Sequence, residues 1–524
     1  MAACSNHFPK LAEHFFTLVT EGFPYLLSVT IVFLIWRLFV LRDDRSSRPQ
    51  DLREPPCPIG LPIIGNVHQI GSKPCKAFVR LAKKYGNVIK LKIGSRPVIV
   101  LNGQDAIRQA LMHQSVDFAG RPDFIGFRTF IALQGGSIGF SSYDESWKLH
   151  RKLADNALRH FTSGRQVPRF ERQVTYEATE LIDFILGKNQ TAITDVSSLL
   201  RFSASNVIAN IVFQHRHNLD HPELKKVVDK VHLMIKEISG SNVIDFMPWL
   251  RPFLAHKVRA FVSTVERLKA LLGDLVREHM TNYEKGIDSD ILYYLKTLFD
   301  NLVIQQRDKI TEKQILSAAY EFFGAGLETV AATLTWAFLY AIYYPDLQAE
   351  VQAEIDQVVG LDRLPTLADR EKLVFTEAFL AEASRHSSVV PTTLPHATTR
   401  DTVLKVGSNY FIPKDTVVFV NLYSIHHDPE LWDNPNVFNP RRFLTGDGLK
   451  LDTQKVDSLM RFGSGRRRCI GFEVAQIELF LFFTIMLHQC DLRNEADQKL
   501  SLEGTDSLLV TTSPRYRMEV RRRC

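Results

Sequence analysis

One cysteine near the C-terminal end of the sequence lies beside three arginines, in the stretch FGSGRRRCIG at residues 462–471. A thiolate is the form of cysteine that ligates a metal, and both neighbouring positive charge and a following helix N-terminus stabilise that anion. Gly463, Gly465 and Gly471 allow the backbone to approach a flat ligand closely. The stretch therefore predicts that Cys469 is a metal-ligating thiolate, against the plainer reading of a small buried side chain.

The other five cysteines are scattered along the 524 residues, and no CxxC pair is present. This spacing argues against a disulfide framework and against a four-thiolate cluster. A single thiolate on a tight loop that opens a helix is what an axial ligand of haem iron needs. The alternative is a basic surface loop that happens to contain a cysteine.

A second candidate for chemistry is the apolar helical stretch at residues 322–338. Gly324 and Gly326 lie inside it, although each glycine costs up to ~1 kcal/mol relative to alanine in a helix. Glu328 and Thr329 follow at once. Glycine beside an acid and a hydroxyl in an apolar helix predicts a local bulge that opens toward a ligand.

The elements that must position these residues are mostly helical. Helical spacing at 76–86 ends at Gly86, two strands with a turn between them follow at 88–103, and helical patterns dominate from about 145 to 360. Short β-like segments such as 416–421 mix with proline-rich turns after residue 385. The predicted fold class is mostly α with small β-sheets.

The C-terminal stretch 470–487 is almost entirely apolar and long enough for a membrane span. Glu473, Gln476 and Glu478 in its first half favour a buried core helix instead.

A membrane anchor is predicted at residues 23–41, whose 19 residues would span ~28 Å as a helix and carry only one charge, Arg37. Arginines follow this stretch and place its C-terminal side in the cytosol. The predicted organisation is a short luminal N-terminus (1–22), the anchor, a basic and proline-rich linker (42–62) and a cytosolic catalytic domain (63–524). A cleaved signal peptide and a buried core helix are the alternatives for the apolar run. The net charge of +6 does not indicate nucleic-acid binding.

The cysteine stretch resembles the haem-binding loop of cytochrome P-450 enzymes, F-x-x-G-x-R-x-C-x-G. Phe462, Gly465, Arg467, Cys469 and Gly471 fill every fixed position. The resemblance implies the cytochrome P-450 fold and haem b, with Cys469 as the axial ligand of the iron. It also implies that Phe462 packs beside the sulfur and that Arg467 pairs with a haem propionate.

Further motifs of that family occur in the right order. Trp147 and Arg151 resemble its WxxxR, which donates two hydrogen bonds to a propionate, although an amphipathic helix with an interfacial tryptophan would look the same. His396 in LPHATT and Arg121 in FAGRPDF are placed as further propionate donors by the same resemblance.

A structural motif of the family is also present. Glu382 and Arg385 form its ExxR, and Arg442 in FNPRRF matches a third member, while Arg441 replaces the usual glutamate. The resemblance implies a buried charge trio that supports the haem loop.

The stretch around Glu328 and Thr329 resembles the family's A/G-G-x-D/E-T, with Ala325 and Gly326 as the first two positions and Val330 in place of a second hydroxyl. The resemblance implies a monooxygenase that activates dioxygen with electrons from NADPH. Thr329 would then steady dioxygen and a water, and Glu328 would relay protons.

The resemblance extends from Pro56 onward and is most like animal family 1, the aryl-hydrocarbon-oxidising group. It implies a single-pass protein of the endoplasmic reticulum membrane, in contact with the lipid bilayer, that receives electrons from NADPH-cytochrome reductase and from cytochrome b5. Four phenylalanines are expected to line a slot for small, lipophilic, planar aromatic or steroid-like substrates: Phe124, Phe127, Phe140 and Phe323. The alternatives are a steroid 17-hydroxylase/lyase-like enzyme, a catalytically silent haem-binding sensor, and a membrane-tethered scaffold without haem.

Overall fold

The computed structural model describes Ser28 and residues 52–523, except 240–242, 285, 287 and 506. Apart from Ser28, the predicted anchor at 23–41 lies outside the described residues, as does the first part of the predicted linker. The later part of that linker is docked on a sheet: the Arg53 N–H donates to the Asn409 carbonyl over 3.1 Å, and the Arg53 carbonyl accepts from Phe411 over 2.9 Å.

Helices form most of the described chain. In chain order the α-helices span Val67–Ile70, Pro74–Tyr85, Gln104–Arg108, Ile125–Gln134, Glu145–Thr162, Val167–Leu186, Val196–Phe213, Pro222–Ser239, Val243–Phe246, Arg251–Thr281, Ile291–Asp300, Ile304–Arg307, Glu312–Tyr343, Pro345–Val358, Val374–Ser387, Tyr423–His426, Thr453–Ser458 and Phe472–Gln489.

The strands form three small sheets. They are β1 (Val88–Ile93), β2 (Arg96–Leu101), β3 (Thr191–Thr194), β4 (His396–Ala397), β5 (Thr402–Val406), β6 (Ser408–Ile412), β7 (Val417–Val420), β8 (Cys490–Asn494) and β9 (Met518–Arg522). The first sheet has the order β1-β2-β7-β4, the second β3-β9-β8, and β5 pairs with β6. The prediction of a mostly α fold with small β-sheets is confirmed.

The local predictions near the start of the catalytic body are confirmed as well. The helix Pro74–Tyr85 ends at Gly86, which has a φ of +97° that favours glycine. Strands β1 and β2 follow as an antiparallel pair. The short strand β3, in contrast, interrupts the predicted helical region. It was not predicted because its pairing partner, β9, lies at the far end of the chain.

The helix Glu312–Tyr343, here called the central helix, runs through the core and contains the predicted Glu328–Thr329 pair. Its N-terminus has a capping box between Thr311 and Gln314. The helix is α throughout, so the predicted local bulge was wrong. Gly326 has a packing reason instead, since a Cβ there would lie 2.8 Å from the Ile208 Cγ1 on the helix Val196–Phe213.

The C-terminal helix Phe472–Gln489 begins two residues later than predicted, with Gly471 as its N-cap. Cys469 lies before the helix, in the loop, where its N–H donates back to the Phe462 carbonyl over 2.8 Å. Three helices among the described residues are long and apolar enough to cross a membrane, yet each has 72% of its apolar window buried in the protein: Val196–Phe213, Glu312–Tyr343 and Phe472–Gln489. The prediction of a core helix at the C-terminus is confirmed.

The predicted charge trio is present and buried. Glu382 binds Arg385 at 2.6 Å, and neither side chain has any exposed surface. The Arg442 Nε joins Glu382 at 3.1 Å. Arg441 instead pairs with Glu350 at the surface, so its departure from the family pattern leaves the trio intact.

Candidate active site

The cysteine loop, residues 462–471, is folded tightly against the helical turn Gln109–His113. Gly465 has a φ of +67°, and a Cβ there would lie 1.7 Å from the Leu111 carbonyl oxygen, so only glycine fits. The backbone bond from Cys469 to Phe462 closes the loop. The Phe462 ring lies 6.3 Å from that of Phe472, at the start of the next helix.

The Cys469 side chain is accessible, although protein atoms surround it closely enough for burial to raise the pKa of its thiol. The Gly471 N–H donates to the sulfur, and Arg151 and Arg468 also act to lower that pKa. An accessible thiol enclosed by protein lines an internal cavity. The loop therefore presents one sulfur to that cavity, with an N–H donor and two positively charged side chains near it.

Three arginines around this cavity lack carboxylate partners within the described part of the chain: Arg121, Arg151 and Arg467. Burial, with Arg121 and Arg151 nearby, lowers the pKa of Arg467 to about 7. Burial and Arg151 lower the pKa of Arg121 to about 9. Removing cations from water is unfavourable unless an anion joins them, so this half-buried cluster fits a ligand with acidic groups.

Arg467 donates to three backbone carbonyls: Nε to Ala119 at 2.9 Å, Nη1 to Ile138 at 3.1 Å and Nη2 to Ser141 at 2.7 Å. Its guanidinium carbon lies 3.9 Å from the centroid of the Trp147 ring. This fork fixes the cation between the cysteine loop and two neighbouring segments.

Trp147 lies in the first turn of the helix Glu145–Thr162, where Asp144 caps the helix by accepting from the Trp147 N–H at 2.7 Å. The indole is buried, and its Nε1 donates to the Ile138 carbonyl at 2.8 Å. Arg151 lies one turn later and donates from Nη2 to the Arg468 carbonyl. Both predicted WxxxR members thus reach the cysteine loop region, with their donors on backbone oxygens.

Arg121 and His396 hold the opposite side of the cluster. Arg121 donates from Nε to Gly139 at 2.8 Å and from Nη1 to the carbonyls of Leu394 and Pro395 at 2.9 and 2.8 Å. His396 is buried and bonds through Nδ1 to the Phe118 carbonyl at 2.7 Å.

The protonation of His396 follows from these surroundings. Burial, then Arg121 and Arg467, lower its pKa well below the usual value. The ring is therefore neutral with its proton on Nδ1, and Nε2 becomes a donor only when a nearby anion favours the charged form.

Glu321 on the central helix is a residue that the sequence did not single out. Its carboxylate accepts from the Ser137 hydroxyl and the Ile138 N–H at 2.9 Å, and from the Gly139 N–H at 2.8 Å. The Ile138 carbonyl in turn accepts from Trp147 and Arg467. Glu321 thus ties the 137–141 loop, and through it the cation cluster, to the central helix.

Further along the central helix, Glu328 is buried while Thr329 is half-buried. The Thr329 hydroxyl donates to the Ala325 carbonyl at 3.0 Å. Ala325 itself is exposed although Phe323 and Leu327 beside it are buried, so the helix has an accessible face at this turn. The hydroxyl lies at the edge of this face.

The Glu328 carboxylate has a partner that the sequence did not indicate. Its Oε1 accepts from the His232 Nδ1 at 2.8 Å, while its Oε2 is buried with no hydrogen-bond partner among the described residues. His232 lies 96 residues earlier, on the helix Pro222–Ser239.

Three of the four phenylalanines expected to line a pocket form one cluster. The ring centroids of Phe124 and Phe127 are 5.5 Å apart, and those of Phe127 and Phe140 are 4.9 Å apart. Phe140 alone of the three is half-buried and keeps accessible area. Phe323 is buried in the main core, on the central helix two residues before Ala325.

The residues present fit a haem group. One thiol on a tight loop can ligate iron, and a cluster of half-buried cations without carboxylate partners among the described residues can hold two propionates. The accessible turn at Ala325 and Thr329 and the aromatic cluster supply an apolar surface with a single hydroxyl.

The comparison with known proteins agrees with this fit. The family model for cytochrome P450 matches residues 55–520. Cytochrome P450 1A5 of Gallus gallus is 36% identical, over 93% of this chain and 94% of its own length. Cytochrome P450 1A1 of Limanda limanda is 36% identical over 92% and 93%, and that of Chelon saliens 37% over 91% and 92%. This chain is a member of the cytochrome P450 family and is most like family 1.

Proposed function

We propose that Cys469 is the thiolate that ligates the haem iron and that five side chains hold the propionates: Arg121, Trp147, Arg151, His396 and Arg467. The observation that carries the proposal is a cluster of half-buried arginines that lack carboxylate partners in the described structure and whose pKa values the surrounding protein lowers. Phe462 would pack beside the sulfur. When bound, haem supplies the reductive activation of dioxygen and the insertion of one oxygen atom into a substrate.

The class of enzyme follows from the family. The protein is a monooxygenase that uses haem-thiolate iron, dioxygen and NADPH-derived electrons delivered by a reductase. A steroid 17-hydroxylase or a silent haem-binding sensor is not favoured, because the similar proteins carry P450 1A names.

Two side chains of the central helix would serve the reaction directly. Thr329 holds its hydroxyl at the accessible turn, where it can orient dioxygen and a water. Glu328 is buried behind it and can accept and release a proton through its carboxylate. Their roles are those of hydrogen-bond donor and proton carrier.

The substrates we propose are small, lipophilic and planar aromatic. The half-buried ring of Phe140 packs at a tilt on Phe127, which packs in turn on Phe124, and offers apolar area without a polar group. Product analysis with one polycyclic aromatic and one steroid, incubated separately with the protein, reductase and NADPH, tests this. Oxidation of the steroid in preference to the aromatic would contradict it.

The thiolate is tested by the spectrum of the reduced, carbon-monoxide-treated protein. Cys469→Ala should lose the thiolate-type absorption band, whereas Cys57→Ala, another exposed cysteine, should keep it. A band that persists in Cys469→Ala would show that another group binds the iron.

For the membrane we propose a single-pass protein of the endoplasmic reticulum, with residues 1–22 luminal, an anchor at 23–41, a linker at 42–62 and the catalytic domain at 63–524 in the cytosol. The apolar run and the arginines that follow it support this topology. Cytochrome b5 would be a second electron donor. Deleting 23–41 should release the protein from alkali-washed microsomes, and retention of the deletion variant would contradict the anchor.

A further inference from the structure

The contact between His232 and Glu328 joins two helices that are far apart in the sequence. The His232 Nδ1 lies 2.8 Å from the Glu328 Oε1. The two side chains differ in exposure: His232 keeps 33% of its side-chain surface accessible, whereas Glu328 keeps 3%. The carboxylate therefore has an accessible neighbour on one side and the protein interior on the other.

The two nitrogens of the His232 ring have different surroundings. Nδ1 bonds to Glu328. Nε2 has no protein partner among the described residues, and it keeps accessible surface. Water can therefore reach Nε2. A ring with one nitrogen on a buried acid and the other on water has the geometry of a proton shuttle.

We propose that His232 is the proton relay that supplies Glu328 and that it also positions the carboxylate. This inference rests on the proposed role of Glu328 in the oxygen chemistry and names the group that protonates its carboxylate. A proton from water adds to Nε2, and the Nδ1 proton moves to the Glu328 Oε1. The ring is left neutral with its proton on Nε2. Once the acid has passed its proton inward, a flip of the ring returns a protonated nitrogen to the carboxylate and a bare nitrogen to water, so the net result is one proton moved inward from the solvent.

The surroundings of the second oxygen of Glu328 determine where the protonated acid can pass its proton. The relayed proton first lies on Oε1, and rotation of the carboxyl group turns it away from the histidine to the position of Oε2, which is buried and has no partner in the described structure. From that position the acid can donate only to a group that enters the interior. The next residue, Thr329, lies at the accessible turn of the central helix. The pair thus connects accessible water to the reacting face of that helix.

Two substitutions separate positioning from relay. Asparagine can place a donor near the position of Nδ1 but cannot pass a proton through its side chain. His232→Asn should therefore keep the contact with Glu328 and lose the shuttle. His232→Phe keeps a ring of similar size and loses both.

The first measurement needs no turnover. If the contact is real, His232→Phe and Glu328→Gln each lower the melting temperature, and the double variant loses no more than the larger single loss. His232→Asn should melt close to the parent. Additive losses in the double variant would overturn the contact on which the inference depends.

The second measurement is the rate of product formation in H2O and D2O. His232→Asn should turn over at least 10-fold more slowly than the parent, in line with the ~10²–10⁴-fold that general acid–base groups contribute, and its solvent isotope effect should rise. If His232→Asn fails to bind haem, His232→Gln gives the same comparison. Parent-like turnover with an unchanged isotope effect would overturn the inference.

The chain offers a matched control in a second histidine–carboxylate contact, between the His279 Nε2 and the Asp290 Oδ2 at 2.9 Å. This contact lies where the helix Arg251–Thr281 ends, next to Tyr293. His279→Gln should leave turnover and the isotope effect unchanged. All variants should keep the carbon-monoxide band of the parent, since Cys469 is intact. A failed relay with that band present leaves the proposed function standing, whereas loss of the band from the parent would contradict the function itself.

Discussion

Trp147 and Arg467 share one acceptor. The indole Nε1 and the guanidinium Nη1 both donate to the Ile138 carbonyl oxygen, at 2.8 and 3.1 Å, while the guanidinium stacks on the indole ring. A carbonyl has two lone pairs, so this oxygen is fully used. The two motifs that the sequence gives separately, WxxxR and the cysteine loop, therefore form one hydrogen-bonded unit.

This unit predicts the effect of removing the cation. Arg467→Leu removes the positive charge that would face the propionates, and a hydrogen bond to a charged group contributes about 1.5–3 kcal/mol. We expect haem to bind roughly 100-fold more weakly. Arg467→Lys should be intermediate, because an ammonium cannot reproduce the planar fork. The haem-to-protein ratio after dialysis measures this, with the exposed neighbour Arg466→Leu as the control. Parent-like haem retention in Arg467→Leu would exclude a role in holding the propionates.

Glu321 should matter for the stability of the same region. Burial raises the pKa of its carboxyl, while the N–H groups of Gly139 and Ile138 and the Ser137 hydroxyl act to lower it. Glu321→Gln turns an amide NH₂ toward groups that donate, and we expect the free energy of unfolding to fall by about 2 kcal/mol.

Chemical denaturation measures this change, and hydrogen exchange at 137–139 should become faster. Glu312→Gln is the control, on the exposed first turn of the same helix. Equal stability of the parent and Glu321→Gln would show that the loop does not need this anchor.

The buried trio predicts that removing one of its own arginines, Arg385, costs far more stability than removing Arg441, which lies outside it. Arg385→Leu leaves Glu382 buried without its main partner, so we expect a loss of about 3–5 kcal/mol in the free energy of unfolding. Arg441→Leu removes only a surface pair with Glu350, so its loss should be below about 1 kcal/mol. Denaturant titration of both variants in parallel tests the contrast. Losses of similar size in the two variants would contradict a structural role for the buried trio.

The sequence is informative where the residues that determine a structure lie close together in the chain. The cysteine loop is an example, because its glycines, arginines and sulfur act on one another over ten residues. The ends of the helix Pro74–Tyr85 and the burial of the C-terminal helix follow from local patterns in the same way.

Residues whose partners are distant could not be predicted. Glu321 reads as one acid in an apolar helix, and its acceptor role appears only because Gly139, 182 residues earlier, folds against it. His232 has no local signal at all. Gly326 was misread as a bulge, because its reason is the approach of Ile208 from another helix.

Glu478 gives a prediction about pH. Both carboxyl oxygens are buried without a hydrogen-bond partner in the described structure, and burial raises the pKa of this carboxyl well above its usual value. In the unfolded chain the pKa returns to about 4.3. The folded protein therefore binds this proton more tightly than the unfolded chain. Stability from this group is full below pH ~4 and is lost as the pH rises toward the folded pKa.

Glu478→Gln cannot titrate, so its stability should fall less than that of the parent as the pH rises from 5 to 8. Between the unfolded and the folded pKa, the parent carboxyl is protonated in the folded protein and ionised in the unfolded chain. Over that range the free energy of unfolding of the parent falls by about 1.4 kcal/mol per pH unit relative to that of the variant. Denaturant titrations at several pH values measure the difference. Glu473→Gln is the control, because Glu473 lies on the same helix but accepts from the Thr162 hydroxyl at 2.9 Å. Parallel stability curves for Glu478→Gln and the parent would show that the carboxyl is not held protonated in the fold.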